Sequence, residues 1–243
     1  MPLLGFDWQP AGGGPAYDPS SEALTGYWQG DNYSNITGTW TGTASAGSSG
    51  SHDLTEATAP LRPGVGSLNG FTTVSYDGID DKLGSASAIS TFVNVAAWRA
   101  RVVFKVASFT TNNAGYYQNG PLLCDDGQYW GLHIKGSGAS GTIYAYVWDG
   151  AQQGASASIS TGTWYVVDAW YDGTNINMNV NGSAGTPDTS GSIQTATNVL
   201  KAGARSPYFF NGEIAEALLI DSDNTGTVTP ATYLAYAQAR YAI

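Results

Sequence analysis

The sequence predicts an all-β protein: an antiparallel jelly-roll β-sandwich with an extended N-terminal arm and a short C-terminal helix. Three observations lead to this fold class. Short stretches rich in β-branched and aromatic residues recur roughly every 8–15 residues, with Gly-containing turn dipeptides between them. The stretch 163–182 alternates like a hairpin, and only the segment 229–241 has helical spacing. This arrangement favours a sandwich over a βαβ fold.

The clearest hairpin runs from Thr163 to Gly182. Its first half is rich in Trp, Tyr and Val, which suit a pleated and half-buried surface. Asp172-Gly173 then supplies a tight turn. The second half alternates, with three apolar side chains on one face and a row of amides on the other: Ile176, Met178 and Val180 against Asn175, Asn177, Asn179 and Asn181. The alternation implies an antiparallel sheet with one wet face.

A second long strand is predicted over residues 97–108. Arg99 and Arg101 would share one of its faces, and Ala100, Val102 and Phe104 the other. Short strands and turns are expected within 24–60. Further strands are predicted at 71–76, 116–124, 128–135, 142–148, 198–204 and 212–221.

The two ends of the chain differ from this pattern. Residues 1–23 are rich in Gly and Pro and are expected to form an extended assembly arm, which carries Phe6, Trp8 and Tyr17. Residues 24–243 form a single predicted domain, since sandwiches of this length are common. The helix is predicted from Thr229-Pro230, an N-cap followed by a first-turn proline. We expect it to pack over one edge of the sandwich, where it would cover open backbone groups.

Composition excludes several classes of partner. The chain has 9 basic and 19 acidic residues, for a net charge of −10, and only 12% of its residues are charged. Because phosphate contacts need clustered cations, we expect no nucleic-acid partner and no attraction to an anionic membrane. No apolar run is long enough for a transmembrane helix.

The single cysteine and the first residues bear on localisation. Cys124 cannot form an intramolecular disulfide and is interpreted as a small buried hydrophobic residue. The opening MPLLGFDWQP lacks the features of a signal peptide. A lectin-like composition without an export signal is typical of virion proteins, which leave the cell by lysis. We therefore expect a virion location, with an extracellular surface as the alternative.

Three local patterns together resemble the concanavalin A-like lectin/glucanase (laminin-G-like) superfamily, of the kind found in phage virion proteins. The hairpin WYDGTNINMNVNG is similar to its strand-turn-strand ending in VNG. The segment FNGEIAEALLID, from Phe210, looks like its penultimate strand, and NGFTTVSYDGIDDKL resembles the segment that opens many such domains. The resemblance implies the jelly-roll sandwich; it does not fix a function, because this fold hosts lectins, hydrolases and structural modules.

Glycan cleavage is the activity that the resemblance raises first. Retaining glucanases of this type carry acidic residues at i, i+2 and i+4 of one strand, so that the carboxylates face one cleft. Glu213 and Glu216 are spaced i, i+3, which on a regular strand places them on opposite faces. His52 and His133 lie outside any nucleophile motif. The sequence therefore predicts a protein that is not an enzyme, with no catalytic residues; a glycoside hydrolase is the third choice.

Metal binding is a second candidate property. Laminin-G-like domains often hold Ca²⁺ through loop carboxylates and carbonyls, and Asp77, Asp80 and Asp81 offer hard oxygen ligands at short spacing. Asp in a Gly-containing turn is also ordinary turn chemistry. We predict no obligatory cofactor and keep these three carboxylates as the candidate Ca²⁺ ligands.

Carbohydrate binding is a third candidate property. Sugar sites stack a ring on an exposed aromatic side chain and satisfy hydroxyls with amides. The candidate ligand-binding residues lie near predicted turns and on the amide row: Trp130, Trp148, Tyr116, Tyr117, Asn175, Asn177 and Asn179. The alternative is that most of the tryptophans are core residues and that the amide row is only a polar sheet face.

The function predicted from the sequence is a non-enzymatic structural or adhesive protein on a bacteriophage virion, as capsid decoration or as a tail appendage. Its partners would be other virion proteins or further copies of itself in a homo-oligomer. The alternative is a carbohydrate-binding module that recognises a host or surface glycan. The two functions are compatible, since a decoration protein can also bind sugars.

Overall fold

The computed structural model describes residues 17–44, 52–88, 90, 92–93, 96–109, 120–127, 129–148, 152–189, 198–205, 207–220 and 228–243. The strands in chain order are β1 Leu24–Gln29, β2 Tyr33–Ser34, β3 Thr39–Trp40, β4 Leu54–Thr55, β5 Gly64–Leu68, β6 Phe71–Asp77, β7 Leu83–Ala88, β8 Trp98–Val106, β9 Pro121–Asp125, β10 Trp130–Ser137, β11 Ser140–Trp148, β12 Gln152–Ser160, β13 Trp164–Tyr171, β14 Asn175–Val180, β15 Ser183–Ala184, β16 Asp188–Thr189, β17 Val199–Ala202, β18 Ala204–Arg205, β19 Tyr208–Phe209 and β20 Asn211–Ile220. Three short 3-10 helices span Pro19–Ser21, Gly30–Asn32 and Ala59–Leu61, and the α-helix α1 spans Pro230–Tyr241.

Within these ranges, two antiparallel sheets of nine strands form a sandwich. The first sheet has the order β15-β14-β13-β8-β20-β6-β5, with β1 on β20 and β16 on β14. The second sheet has the order β12-β11-β10-β9-β17-β7-β4-β3-β2. The predicted all-β sandwich with one C-terminal helix is confirmed.

The hairpin of β13 and β14 has the predicted alternation. Ile176, Met178 and Val180 are buried in the core between the sheets, while the asparagines of β14 alternate with them on the other face. Asp172 forms the turn, accepting hydrogen bonds at Oδ1 from the backbone N–H groups of Thr174 (2.9 Å) and Asn175 (2.7 Å). The hairpin lies at one lateral edge of the first sheet, where β14 is next to β12 of the second sheet.

Both faces of strand β8 are buried. Its sequence spacing predicts which side chains share each face, but it does not predict that the outer face is buried. Ala100, Val102 and Phe104 face the core between the sheets. Arg99 and Arg101 face outward from the sandwich, yet they are only 3% and 0% exposed. The outer face of the first sheet is therefore covered at this point, contrary to the wet face predicted from the alternation.

The cover is α1. It begins as predicted: Thr229 caps the helix by accepting a hydrogen bond from the N–H of Thr232 (3.2 Å), and Pro230 occupies the first turn. The predicted docking position was wrong, because the helix lies on the face of the first sheet and not over an edge of the sandwich. Its buried residues pack with outward side chains of the sheet into a second core: Tyr233, Ala237 and Tyr241 against Val103, Val166, Ala215 and Leu218.

Strand β12 has no counterpart among the predicted strands. Its sequence is mainly Ala and Ser, which have weak β propensity, so composition alone does not reveal it. The period of two is nevertheless present, with Ala155 and Ile159 buried and Ser158 exposed. The strand forms one edge of the second sheet and lies next to β14 and β16 of the first.

No helix among the described residues is long and apolar enough to cross a membrane.

Candidate functional site

A groove opens on the side of the sandwich where the edge of the second sheet meets the edge of the first. Its volume is about 550 Å³, within the range of about 300–1,000 Å³ found for small-molecule sites. Its lining comes from β11, β12, the start of β13 and the segment 180–186: Thr142, Tyr144, Ser156, Ala157, Ser158, Tyr165, Val180, Asn181, Ser183, Ala184, Gly185 and Thr186.

One wall of the groove is the segment 183–186, which is fixed to both sheets. Thr186 forms an isolated antiparallel bridge with Ser156, with reciprocal N–H···O distances of 2.8 and 2.9 Å. Gly185 donates its N–H to the carbonyl of Met178 (2.9 Å). A Cβ at Gly185 would lie 2.6 Å from the Ser156 carbonyl oxygen, so the approach of the two chains requires glycine. The wall is thereby held in place before any ligand arrives.

The floor of the groove is fixed by hydrogen bonds of its larger side chains. The Tyr165 hydroxyl accepts the N–H of Ser160 (2.8 Å), and the Asn181 amide oxygen accepts the N–H of Val166 (2.7 Å). In the register of β11 and β12, Tyr144 lies opposite Ser156 and Thr142 lies opposite Ser158. The groove thus combines tyrosine rings with a row of short hydroxyl side chains, and none of the described residues that line it is charged.

This groove is not among the predicted sites. Tyr144 and Tyr165 lie in predicted strands whose sequence indicates no binding site, and no strand is predicted over the serines of β12. The alternation of Ala and Ser in the stretch 154–160 is the signal that could have located the hydroxyl row. The wall at 183–186 follows only from the tertiary contact between two sheet edges.

The predicted amide row lies on the outer face of the first sheet, at a different place from the groove. Asn177 stands opposite Trp170 in the register, and Asn179 stands opposite Asp168. The Asn177 amide donates to Oδ2 of Asp172 (3.3 Å). The row is only half-buried, so it remains a candidate polar surface beside Trp170, a residue that the sequence analysis left out of the site.

The four aromatic residues predicted to bind a sugar do not lie together in one site. Trp130 is 1% exposed and stacks edge-on against Trp98, with ring centroids 5.5 Å apart, so its ring offers no face to a sugar. This part of the prediction is wrong, and the alternative, a core tryptophan, holds for Trp130. Trp148 is half-buried at the end of β11. Tyr116 and Tyr117 lie outside the described residues.

The predicted metal ligands do lie together. One oxygen from each of Asp77, Asp80 and Asp81 falls within 4.8 Å of the others. Part of this proximity is turn chemistry, because Asp77 Oδ1 accepts the N–H of Ile79 (2.8 Å) and Asp81 Oδ2 accepts the N–H of Asp77 (2.9 Å). Burial raises the pKa of Asp81 to about 6. The donor chemistry fits a hard cation such as Ca²⁺, whose roughly six to eight oxygen ligands can come from carboxylates, carbonyls and waters; the calcium site stays a prediction.

The two glutamates of β20 are arranged differently from the prediction. A register shift between Ile214 and Glu216 inserts Ala215 as an extra residue on the outer face. Glu213 and Glu216 therefore lie on the same face of the sheet, and the expectation of opposite faces was wrong. Their surroundings separate them: Glu213 pairs with Lys105 (2.8 Å), whereas Glu216 is fully buried under α1.

Four tyrosine hydroxyls enclose the carboxylate of Glu216. Those of Tyr233, Tyr236 and Tyr241 donate from α1 at 3.0, 2.9 and 2.9 Å, and that of Tyr27 donates from β1 at 3.2 Å. Burial raises the pKa of the Glu216 carboxyl above its ordinary value, although Arg240 and the hydroxyls oppose the rise. This carboxyl joins the helix to the sheet and is closed to a substrate.

A second buried polar group lies beside it on β8 and β13. Asp168 accepts two hydrogen bonds of 2.6 Å from Arg99 and one of 3.2 Å from Arg101. Arg101 also pairs with Glu22 and donates to the hydroxyl of Tyr17 (2.8 Å). These charges hold the base of the arm, the helix and the sheet together.

The arm residue Tyr17 is packed against the chain's own helix. Its ring meets Tyr236 edge-on at 5.5 Å between centroids. Its hydroxyl bonds to Glu22. The other two arm residues of the prediction, Phe6 and Trp8, lie outside the described residues, so the proposed assembly role of the arm stays a prediction.

No protein-family model and no curated protein sequence matches the chain. Solved structures do match its fold. The similar structures include domain 4 of AbnA, an extracellular GH43 arabinanase from Geobacillus stearothermophilus, in complex with arabinotriose; its TM-score is 0.55 at 16% identity, covering 88% of this chain and 98% of that one. The binding domain of botulinum neurotoxin DC, in complex with SialylT, has a TM-score of 0.50 at 9% identity, covering 91% of this chain and 53% of that one.

The botulinum neurotoxin serotype D/C binding domain is a third similar structure, with a TM-score of 0.51 at 9% identity over 91% of this chain and 53% of that one. The chain spans about half the length of these toxin domains. At such identities the likeness establishes the β-sandwich fold alone.

Proposed function

We propose that the protein is a non-catalytic β-sandwich domain that binds glycans in the groove between the two sheet edges. The observation that carries this proposal is the lining of the groove. Tyrosine rings, five serine or threonine side chains and one asparagine surround a concave space, and no charged side chain lines it within the part of the chain that the structure describes. Aromatic rings combined with neutral hydrogen-bonding groups are the chemistry that a sugar requires.

The arrangement of carboxylates supports binding without cleavage. A glycosidase needs two carboxyl groups about 5–5.5 or 6.5–9.5 Å apart on either side of the scissile bond. No Asp or Glu of the described chain lines the groove. Glu213 and Glu216, which share a face of the first sheet, are a surface ion pair and a sealed structural group respectively.

Two of the similar structures lend support by their ligands. The arabinanase domain is in complex with arabinotriose, and the toxin binding domain is in complex with SialylT. One is a single domain of an arabinanase, and the other is the binding domain of a toxin. We therefore assign the chain a binding role, with a glycan as its partner.

The test is an immobilised-glycan array probed with the purified protein, followed by calorimetric titration of the strongest glycans and by product analysis after prolonged incubation. Saturable binding without release of shorter sugars is expected. Binding to no glycan would overturn the proposal, and release of shorter sugars would replace it with a glycoside hydrolase.

We further propose that this glycan-binding domain is displayed on a bacteriophage virion, attached by its N-terminal arm or through contacts between copies. The low share of charged residues, 12%, suits protein–protein packing with few desolvated charges. Because Tyr17 packs against Tyr236 of α1 and accepts a hydrogen bond from Arg101, the residue that follows the segment 1–16 has a defined position on the domain. Particle binding and solution mass, measured with and without residues 1–16, test this location: unchanged assembly after the deletion would exclude attachment by the arm, and a full-length monomer that binds no particle would contradict the location.

A further inference from the structure

We infer that the groove selects uncharged oligosaccharides over sialylated or otherwise acidic ones, with Tyr144 as the surface on which a sugar ring stacks. This inference rests on the proposed function and adds to it the class of glycan and the residues that bind it. It separates two chemistries, a neutral oligosaccharide and an acidic one, that the sandwich fold alone does not distinguish.

The first argument is the placement of the cations. An acidic sugar needs a positive partner inside its site, because burying an unpaired carboxylate is costly. The chain has only nine Lys and Arg residues. Arg99 and Arg101 are paired with Asp168, and Arg240 is paired with Asp31. Arg62 donates to three backbone carbonyls.

The lysines add no cation to the described lining, and Lys201 and Arg205, the remaining two of the nine cations, do not belong to it either. Lys105 pairs with Glu213 and Lys82 with Glu56. Lys135 is closest by register, opposite Thr142 on the neighbouring strand, but it does not line the groove. With a net charge of −10, the long-range field of the chain also repels an anion, although salt screens this effect.

The second argument is the spacing of the lining. Cross-strand neighbours are about 4.5–5.5 Å apart, and residues i and i+2 along one strand are about 6.6–6.8 Å apart. Thr142 and Tyr144 on β11 face Ser158 and Ser156 on β12 and form a rectangle of these dimensions. One corner is an aromatic ring, and the other three are hydroxyls. This array presents an aromatic ring for stacking and hydroxyls that donate or accept hydrogen bonds. These groups match the ring and the hydroxyls of an uncharged sugar.

The experiment compares variants on an array that contains both neutral and sialylated glycans. Tyr144→Ala should weaken binding to neutral glycans about tenfold or more, whereas Tyr144→Phe, which keeps the ring, should stay within about threefold. Ser158→Lys places a cation in the groove and should raise binding to sialylated glycans about tenfold. Ser158→Glu should weaken binding to both kinds.

Ser67→Lys is the matched control. It adds the same charge at an exposed strand serine on the far edge of the first sheet, so it should leave the preference unchanged. Thermal unfolding of each variant shows that it is folded before its binding is compared.

The outcomes separate the inference from the function on which it rests. A wild-type preference for neutral glycans that is lost in the groove variants supports the inference. A preference for sialylated glycans overturns the inference and keeps the glycan-binding function. So does neutral binding that Tyr144→Ala leaves unchanged, or sialylated binding that Ser158→Lys leaves unchanged. An array with no binding at all overturns both.

Discussion

The outer face of the first sheet and the groove beside it use opposite chemistry. The outer face carries Arg99, Arg101, Asp168 and Glu216, all at most 3% exposed and joined to one another or to tyrosine hydroxyls. The groove is lined by uncharged side chains, several of them exposed. In many proteins a cluster of buried charges marks an active site, whereas here it lies beneath a helix.

The difference indicates which side chains serve the fold and which are available to a ligand. Buried charges must be paired, and removing one partner is strongly destabilising. The arginines pair with Asp168, and tyrosine hydroxyls surround Glu216, which leaves these charged groups no coordination for a substrate. The hydroxyls of the groove cost little to expose and can exchange water for a sugar.

The largest effect is expected from Asp168→Ala, which leaves Arg99 and Arg101 without their shared carboxylate. We expect the free energy of unfolding to fall by about 3–5 kcal/mol, as measured by urea denaturation. Asn179→Ala, opposite Asp168 in the register, is the control and should change stability by about 0.5 kcal/mol or less. A loss below about 1 kcal/mol in Asp168→Ala would mean that this ion cluster does not stabilise the sheet.

An intermediate effect, dependent on pH, is expected from Glu216→Gln. Because burial raises the pKa of Glu216 in the folded state above 4.5, its ordinary value, the stability it contributes is present below pH 4.5 and is lost as the pH rises through the folded-state pKa. The stability of Glu216→Gln relative to wild type should therefore increase as the pH rises above 4.5.

The comparison is made by denaturation across a pH series, with Glu213→Gln as the control on the same strand. A constant difference between wild type and Glu216→Gln at all pH values would contradict the raised pKa.

A smaller effect is expected from Thr229→Ala at the N-terminus of α1. The hydroxyl of Thr229 caps the N–H of Thr232, and the loss of such a cap costs about 1 kcal/mol. Thr229→Ser keeps the hydroxyl and should retain most of the stability. Neither variant should alter glycan binding, because α1 lies on the face of the first sheet and contributes nothing to the groove lining. Equal stability of both variants would exclude the cap as a stabilising contact.

The elements with strong local signals could be predicted from the sequence. The alternation in β14 and in β8 correctly predicts which side chains share a face of the strand, and Thr229-Pro230 correctly predicts where α1 begins. The docking position of α1 could not be predicted, because the apolar stripe of a helix does not specify which surface it covers.

Two further errors have identifiable physical causes. The bulge at Ala215 places Glu216 on the same face of the sheet as Glu213, and no residue type in β20 indicates a bulge at this position. Strand β12 was missed because Ala and Ser carry little β propensity, and with it the groove was missed. A site formed between the edges of two sheets depends on long-range pairing that local sequence does not encode.

The most direct test of the account is backbone amide chemical-shift mapping during titration with a panel of neutral oligosaccharides that includes arabinotriose. We predict saturable shifts at residues 142–144, 156–158 and 183–186, with little change at Asn175, Asn177 and Asn179. Shifts confined to that amide row would move the site to the outer face of the first sheet and contradict the assignment to the groove. The absence of shifts with every sugar of the panel would contradict the binding of neutral glycans.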